Sequence, residues 1–526
     1  MDPTWRVHAN APNYTDRTVQ FSAMGLHDPT PVVTGTTPHR RRWAALGVLV
    51  IAILLLAIDG TVLYLAVPAL TQDLSPNATQ ILWIGDVYSL ALAGLLVTAG
   101  NLADRVGRKK TLLVGAVGFG LASVLAAYAP NAGTLIVARL LLGVAAATIM
   151  PSTLSIIRNL FTDARERTRA IAVWSAAFAG GAALGPLVGG FLLEHYWWGS
   201  VFLINVPVMI VLLALGAILL PESSDPSPGR FDLLSAALSM AAVVPFVYAV
   251  KDLAKSGPDA VTAVSLVAAV VAGYLFARRQ RRLATPLLDI SLFRRPAFSG
   301  AVLANFVAVF ALTGLLFFFS QYLQLAREYG PLRAGLAELP ATIAAIGAIA
   351  VVGLVVARLG AGRAIGIGLV LTALGLVAVA GAEGAEHYLW LGLALVPIGL
   401  GVGIAQTLTV DVVVSAVPPR RAGAASAVSE TAYELGVALG IAVLGSLVTF
   451  LYRANLTLPR GLPAGDRTMI EDSLASALTV TPPDSALAHH AREAFTAAMQ
   501  TTSLVAAAIT VAAAVVAWHT IPSHRA

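Results

Sequence analysis

Six side chains carry a charge or a polar aromatic head into surroundings that cannot solvate it. Asp59 lies in Leu56-Ala57-Ile58-Asp59-Gly60-Thr61-Val62, Asp86 in Trp83-Ile84-Gly85-Asp86-Val87-Tyr88-Ser89, and Arg139 in Leu135-Ile136-Val137-Ala138-Arg139-Leu140. Glu430 and Glu434 stand on either side of Tyr433 in Ser429-Glu430-Thr431-Ala432-Tyr433-Glu434. A carboxylate at the centre of a bilayer costs roughly 3 kcal/mol on insertion scales, so each such acid is a functional hypothesis by default. Glu430 and Glu434 are spaced i, i+4 and share one face of a helix. Counted from Arg420-Arg421, they sit roughly 10 to 17 Å along that helix at 1.5 Å per residue. Two carboxylates this close in low dielectric do not both ionise freely. A shared proton displaced by a cation is the elementary step of proton-coupled exchange. Tyr433 adds an aromatic face for cation–π contact. Arg139 needs a partner or a hydrated cavity, and as a fixed charge beside an acid it would bias that acid's proton exchange. Asp411 and Glu338, closer to helix ends, are expected to be structural.

The elements that hold these residues follow from composition. Apolar residues make up 57% of the 526, and charged residues only 12%. An average soluble domain carries about 25% charged residues. Half that density cannot clothe a globule in water, so the bilayer is the solvent. A span needs about 20 apolar residues. Seven segments qualify at 43–67, 80–102, 111–129, 133–155, 168–193, 199–220 and 231–250. Seven more lie at 260–277, 297–321, 333–357, 363–381, 387–416, 423–451 and 501–519. Basic residues cluster in alternate loops, Arg40–Arg42, Arg105–Lys110, Arg158–Arg169, Arg230, Arg278–Arg295, Arg358/Arg363 and Arg420-Arg421, while 68–79, 129–132, 194–198 and 382–386 hold none. Retention of positive charge inside predicts both termini in the cytoplasm; Lys251, Lys255, Arg327 and Arg333 run against the bias.

The expectation is an all-α integral membrane protein. Residues 1–39 read as a disordered cytoplasmic tail, 40–220 as a six-helix bundle and 221–296 as two inserted spans. Residues 297–526 read as a second six-helix bundle with an extracytoplasmic loop at 452–500. The net charge of +6 is spread over short loops rather than one patch, which argues against nucleic acid. The chain has no cysteine, so disulfides, thiolate metal sites and a Cys nucleophile are excluded. The histidines form no metal-spaced cluster on a helix, and no G-x-x-x-x-G-K-[ST] loop is present, so a metal centre, a cofactor and ATP-driven transport are not expected.

Two stretches carry conformational signatures. Gly100-Asn101-Leu102-Ala103-Asp104-Arg105-Val106-Gly107-Arg108-Lys109-Lys110 is a tight basic hairpin between the second and third spans. Asp104 can pair with the adjacent arginines there. Gly185-Pro186-Leu187-Val188-Gly189-Gly190 in the fifth span gives a kink and lets a neighbouring backbone approach. A weak echo of the hairpin, Gly353 to Arg363, follows the tenth span and indicates two related halves with a cavity between them.

The hairpin is similar to the signature between helices two and three of the major facilitator superfamily. Arg139-x-x-x-Gly143 resembles the family's helix-four motif, and Gly185 to Gly190 its antiporter motif. With Pro151–Arg158, Phe202–Pro207 and Leu287–Phe293, residues 43–519 resemble the fourteen-helix drug:proton antiporters, the quaternary-ammonium and multidrug efflux pumps of bacterial cell membranes. The resemblance implies the major facilitator fold, two six-helix bundles plus two inserted helices. It also implies proton-driven export of lipophilic cationic drugs, dyes and biocides by a monomer among membrane lipids. Asp59, Asp86, Glu430 and Glu434 match acidic sites of such pumps. Ser429 stands where some relatives have an adjacent acid, and Ala341–Ala357 contains none, so monovalent cations are expected. Export of an endogenous product, such as a self-made antibiotic or a lipid, is the alternative.

Overall fold

A hydrocarbon core offers no partner for an unpaired N–H or C=O, so a chain this apolar crosses it as helices that bond internally. The computed structural model describes residues 39–224, 232–283, 286, 288–417, 422–459 and 462–523. Fourteen of its helices are long and apolar enough to cross a membrane. They are α1 (Arg40–Leu74), α2 (Ala78–Val106), α3 (Arg108–Ala127), α4 (Ala132–Leu160), α5 (Arg165–His195), α6 (Ser200–Leu219) and α7 (Leu233–Leu253). Then follow α8 (Ala260–Gln280), α9 (Pro296–Ala326), α10 (Pro331–Leu359), α11 (Ala361–Ala382), α12 (Tyr388–Ser415), α13 (Val428–Asn455) and α14 (Ala486–Thr520). The N-terminal tail expected at 1–39 falls, but for His39, outside the described residues, as do Arg230, Arg420 and Arg421 of the orientation argument.

The number of spans is the expected one, but the last differs in extent. It begins at Ala486 rather than near 501, and part of the expected loop is helical. Its first turns are amphipathic. His489, His490 and Glu493 depress the hydropathy, while Ala488, Ala491, Ala494, Phe495 and Ala498 are buried. Arg492 anchors this extension, donating from Nε to the Leu325 carbonyl at 3.1 Å and pairing with Glu328 at 2.6 Å. Two short helices, Ala464–Asp472 and Leu474–Val480, occupy the remaining connection. They are held where the Tyr452 hydroxyl donates to the Ile470 carbonyl and Asp472 accepts from the Ala78 N–H, at 2.8 and 2.7 Å.

Packing divides the helices. One hydrophobic core is drawn only from residues between Ala45 and Leu220, that is from α1 to α6. Two others are drawn mainly from α9 to α14, with Tyr64, Val67, Ile81 and Leu82 reaching into one of them. Helices α7 and α8 pack on each other, and α7 leans on α2 and α13 through Val247 against Leu90, Ala438 and Ala442. The base of this hairpin is tied by Asp232, which caps α7 and accepts from Arg279 at 2.8 Å. Burial alone would push the Asp232 carboxyl up, but bonds from Arg279 and Ser235 outweigh it and hold it below the usual range. Val264, Val267 and Val270 on α8 are exposed, a face that suits lipid.

The halves meet along α2 with α13 and α5 with α10. Gly85 fits against Phe317 and Ile441, Gly445 against Leu82 and Phe318, and Gly190 against Pro331 and Leu332. All three contacts lie toward the membrane face where α1 ends and α2 begins. Toward the other face, which carries the α2–α3 basic turn, Val173 of α5 and Ile346, Ile349 and Leu354 of α10 are exposed. There, Gly180, Gly347 and Gly353 have no atom within 4 Å of where a Cβ would stand. Among the described residues, the glycine contacts between the halves therefore all lie at one end, and none joins them at the end bearing the basic turn.

Candidate functional site

Helix α1 carries Asp59 past α4 and α6, and the carboxylate is answered from both. Arg139 donates through Nη1 to Oδ2 at 3.2 Å, and Asn205 donates through Nδ2 to Oδ1 at 2.7 Å. Arg139 also donates from Nε to the Ile84 carbonyl at 3.2 Å, and its guanidinium lies 4.7 Å from the Tyr88 ring centroid. Asp59, Arg139 and Asn205 are all 0% exposed. An unpaired charge at this depth would cost several kcal/mol, whereas here each has a partner of opposite sign or a donor. The arginine sought a partner in the sequence, and Asp59 is that partner. Asn205 lay in the stretch Phe202–Pro207 that resembles the pumps, but nothing in the sequence paired it with Asp59.

Asp86 is not brought to these residues. Its carboxylate faces the inserted helix α7, where Lys251 Nζ lies 2.9 Å from Oδ1 and 2.7 Å from Oδ2. The ammonium stands 3.6 Å from the centroid of the Trp83 ring. Lys251 was legible only as an exception to the charge bias. The structure makes it the counter-ion of Asp86, across 165 positions of sequence.

Helix α13 presents Glu430, Tyr433 and Glu434 between the halves. Glu434 is buried beside Ser89 of α2, while Glu430 and Tyr433 are half-buried. No lysine or arginine among the described residues pairs with either glutamate. Tyr433 meets Phe178 of α5 edge-on at 6.1 Å, and Phe178 stacks on Trp174 at 6.4 Å. Trp174 is oriented by its Nε1 donating to Thr153 Oγ1 at 3.0 Å. The arrangement is a pair of uncompensated carboxylates next to an aromatic wall built from both halves. Such a site can hold an organic cation by charge and by ring face. Trp174 and Phe178 were missed in the sequence because aromatics four apart on a span read as ordinary lipid or core residues.

Glu338, expected to be structural, is 2% exposed in α10, and neither carboxylate oxygen has a hydrogen-bond partner. Ser320 faces it without reaching bonding geometry. A carboxylate buried without a partner among the described residues is costly to hold charged in low dielectric. Asp411 is exposed near the end of α12.

The two motifs occupy joints. Gly107 has φ +121°, which a side chain resists, and a Cβ there would stand 2.7 Å from Glu222 Oε1. Asp104 pairs with Arg108 at 2.7 Å. The Glu222 carboxylate accepts from the Lys109 and Lys110 N–H groups, each at 3.2 Å, so an anion sits on the positive end of α3. Arg105 is exposed, and Gly100 rests on Pro151 of α4. In α5, Gly185 and Gly189 face Thr61 and Val62 of α1, Gly190 faces α10, and the Pro186 carbonyl lies against Gly335. The glycines of the second motif thus touch both halves.

With this geometry in view, comparison with known proteins is direct. A family model described as Major Facilitator Superfamily matches residues 49–441. The chain is similar to the multidrug efflux pump LfrA of Mycolicibacterium smegmatis, 46% identical over 93% of this chain and 97% of that one. It is also similar to the methyl viologen resistance protein SmvA of Salmonella typhimurium, 35% identical over 86% and 93%. Among solved structures it resembles a bacterial homologue of the human lysosomal transporter Spinster, inward-facing and unoccupied. That match has a TM-score of 0.62 and 17% identity, covering 92% and 98% of the two chains.

Proposed function

Because the chain belongs to the major facilitator superfamily and is a membrane transporter rather than an enzyme, we propose that it is a proton-coupled antiporter. Its cargo is lipophilic, mainly monovalent cations, carried out of the cell across the bacterial cell membrane. The observation that carries this reading is the α13 pair. Glu430 and Glu434 lie between the halves without a counter-ion among the described residues, against Tyr433, Phe178 and Trp174. A relative named as a multidrug efflux pump over nearly the whole chain supports the direction of transport.

The basic-turn side faces the cytoplasm, with both termini on it, because positive residues are retained there. We take the end without those contacts as the parted one; it is then the cytoplasmic end, and a cation enters from the cytoplasm or the inner leaflet. Either a proton or a cation must neutralise a carboxylate in low dielectric, and the two exclude each other. Cation arrival releases the proton inward; protonation from outside expels the cation once the halves have rocked over. No cofactor is required. Exchange of one proton for one monovalent cation moves no net charge, so the pH difference drives it, tenfold in concentration ratio for each unit, about 1.4 kcal/mol. The electrical term, about 2.3 kcal/mol per 100 mV, contributes only for protons moved beyond the first.

The test is ethidium uptake into inverted membrane vesicles under a proton gradient, wild type against Glu434→Gln. Gradient-dependent uptake at least tenfold lower in the variant, at equal amounts of folded protein, is expected. Uptake that persists moves the essential carboxylate, first to Glu430 and then to Asp59. Wild-type vesicles that take up no lipophilic cation would remove the multidrug reading and favour a dedicated endogenous product.

A further inference from the structure

The Lys251 ammonium occupies a setting that would suit a substrate cation. It sits on both oxygens of the Asp86 carboxylate, at 2.9 and 2.7 Å, and 3.6 Å from the centroid of the Trp83 ring. Carboxylate plus aromatic face is the recognition set for an organic cation, and it is the set the α13 site also presents. A pair serving only to hold α7 on α2 would not need the ring. Ion pairs buried as deeply as this one, at 0% and 2% exposure, are often replaced by apolar residues without loss of stability. The two sites are neighbours. Ser89, beside Glu434, is three residues from Asp86 on α2, a rise of about 4.5 Å. Ala438, one turn beyond Glu434 on α13, packs in the cluster that holds Val247 of α7.

We propose that Asp86 and Trp83 form a second cation site, filled in this chain by the tethered ammonium of Lys251, and that this occupancy confines transport to singly charged cations. The inference rests on the cation-export reading and assigns its specificity to one residue of an inserted helix. Lys251 belongs to the same chain as the site, so its effective concentration there is millimolar or higher. A free cation at drug concentrations does not displace it. With the ammonium gone, Glu434 and Asp86 would both be open to one dication, its second charge meeting Asp86 where the lysine was.

Full-length protein in inverted vesicles is assayed with ethidium, a monocation, and methyl viologen, a small planar dication. Lys251→Ala is expected to keep ethidium uptake within twofold of wild type and to raise methyl viologen uptake fivefold or more. Adding Asp86→Asn to that variant is expected to abolish the gain. The ratio of the two uptakes is the readout, because loss of a merely structural pair lowers both together. Lys251→Gln, which keeps a donor on Asp86 and drops the charge, serves in the same way if the alanine variant gives too little folded protein. An unchanged ratio in both variants overturns the inference, as does a gain that survives Asp86→Asn. Wild-type vesicles that fail to move ethidium overturn the cation reading beneath it, a failure distinct from one confined to the variants.

Discussion

The intramembrane acids answer one cost in two ways. Asp59 and Asp86 are matched by Arg139 and Lys251, while Glu430, Glu434 and Glu338 have no cation beside them among the described residues. The sequence shows all five as charges in apolar runs and cannot separate the two groups, because the partners lie on other helices. Glu338 was set aside for lying seven residues from Pro331, about 10 Å along its helix. What burial depends on is that α5 covers this end of α10, and that contact is not written locally. The matched pairs predict a stability pattern. Asp59→Asn strands the Arg139 guanidinium and should cost roughly 3–5 kcal/mol, whereas Asp59→Asn with Arg139→Gln should recover most of it. Thermal unfolding of purified protein in detergent checks this, and equal losses in the single and double variants would remove the pair from the account. On the aromatic wall, Phe178→Ala should raise the ethidium concentration for half-maximal uptake about fivefold, the worth of roughly 1 kcal/mol of cation–π contact. Its maximal rate should change little.

At the scale of the helix, the α5 glycine motif was legible as a close-approach surface, but which backbones approach it was not. Gly190 meets Pro331 and Leu332 of α10, with a Cβ placed 2.8 Å from the Leu332 Cα. Gly190→Val should therefore hold the halves apart at that end. Vesicles bearing it should leak protons and lose ethidium accumulation at normal expression, a result that acid-binding fluorophores report directly. The end of α11 carries a separate liability. Burial pushes the Glu383 carboxyl, just past Ala382, up to about 8 from 4.5. Its folded state holds a proton that the unfolded chain releases, so stability falls as pH rises through that window. Glu383→Gln should raise Tm at pH 8.5 by about 2 °C and by nothing near pH 3, well below the ordinary value, where both states are protonated. The same amphipathic logic explains why the start of α14 escaped the sequence: a helix with buried Ala491, Ala494 and Phe495 but exposed His489 and His490 averages to a loop in any hydropathy window.

For the whole molecule, the fourteen spans were legible because the bilayer imposes length and apolarity on every segment. The state of the halves was not, since the same helices serve both states and only their contacts change. Here the close glycine contacts between them lie toward one face, at Gly85, Gly190 and Gly445. Alternating access requires them to part when the other end closes. The chain has no cysteine, so an introduced pair is unambiguous. Gly190→Cys with Leu332→Cys places two thiols where α5 and α10 touch, close enough for a disulfide to form with slight adjustment. Oxidation should then hold this end shut, reduce gradient-driven ethidium uptake at least tenfold, and leave binding from the parted side in place. Dithiothreitol should restore transport to the level of the Gly190→Cys single variant, which the tight contact at this glycine sets below wild type. Each single-cysteine variant should be insensitive to oxidant, which separates the cross-link from damage to the motif. Cross-linked protein that transports at the full rate would mean that α5 and α10 stay together through the cycle, and the gate would have to be sought along α2 and α13 instead.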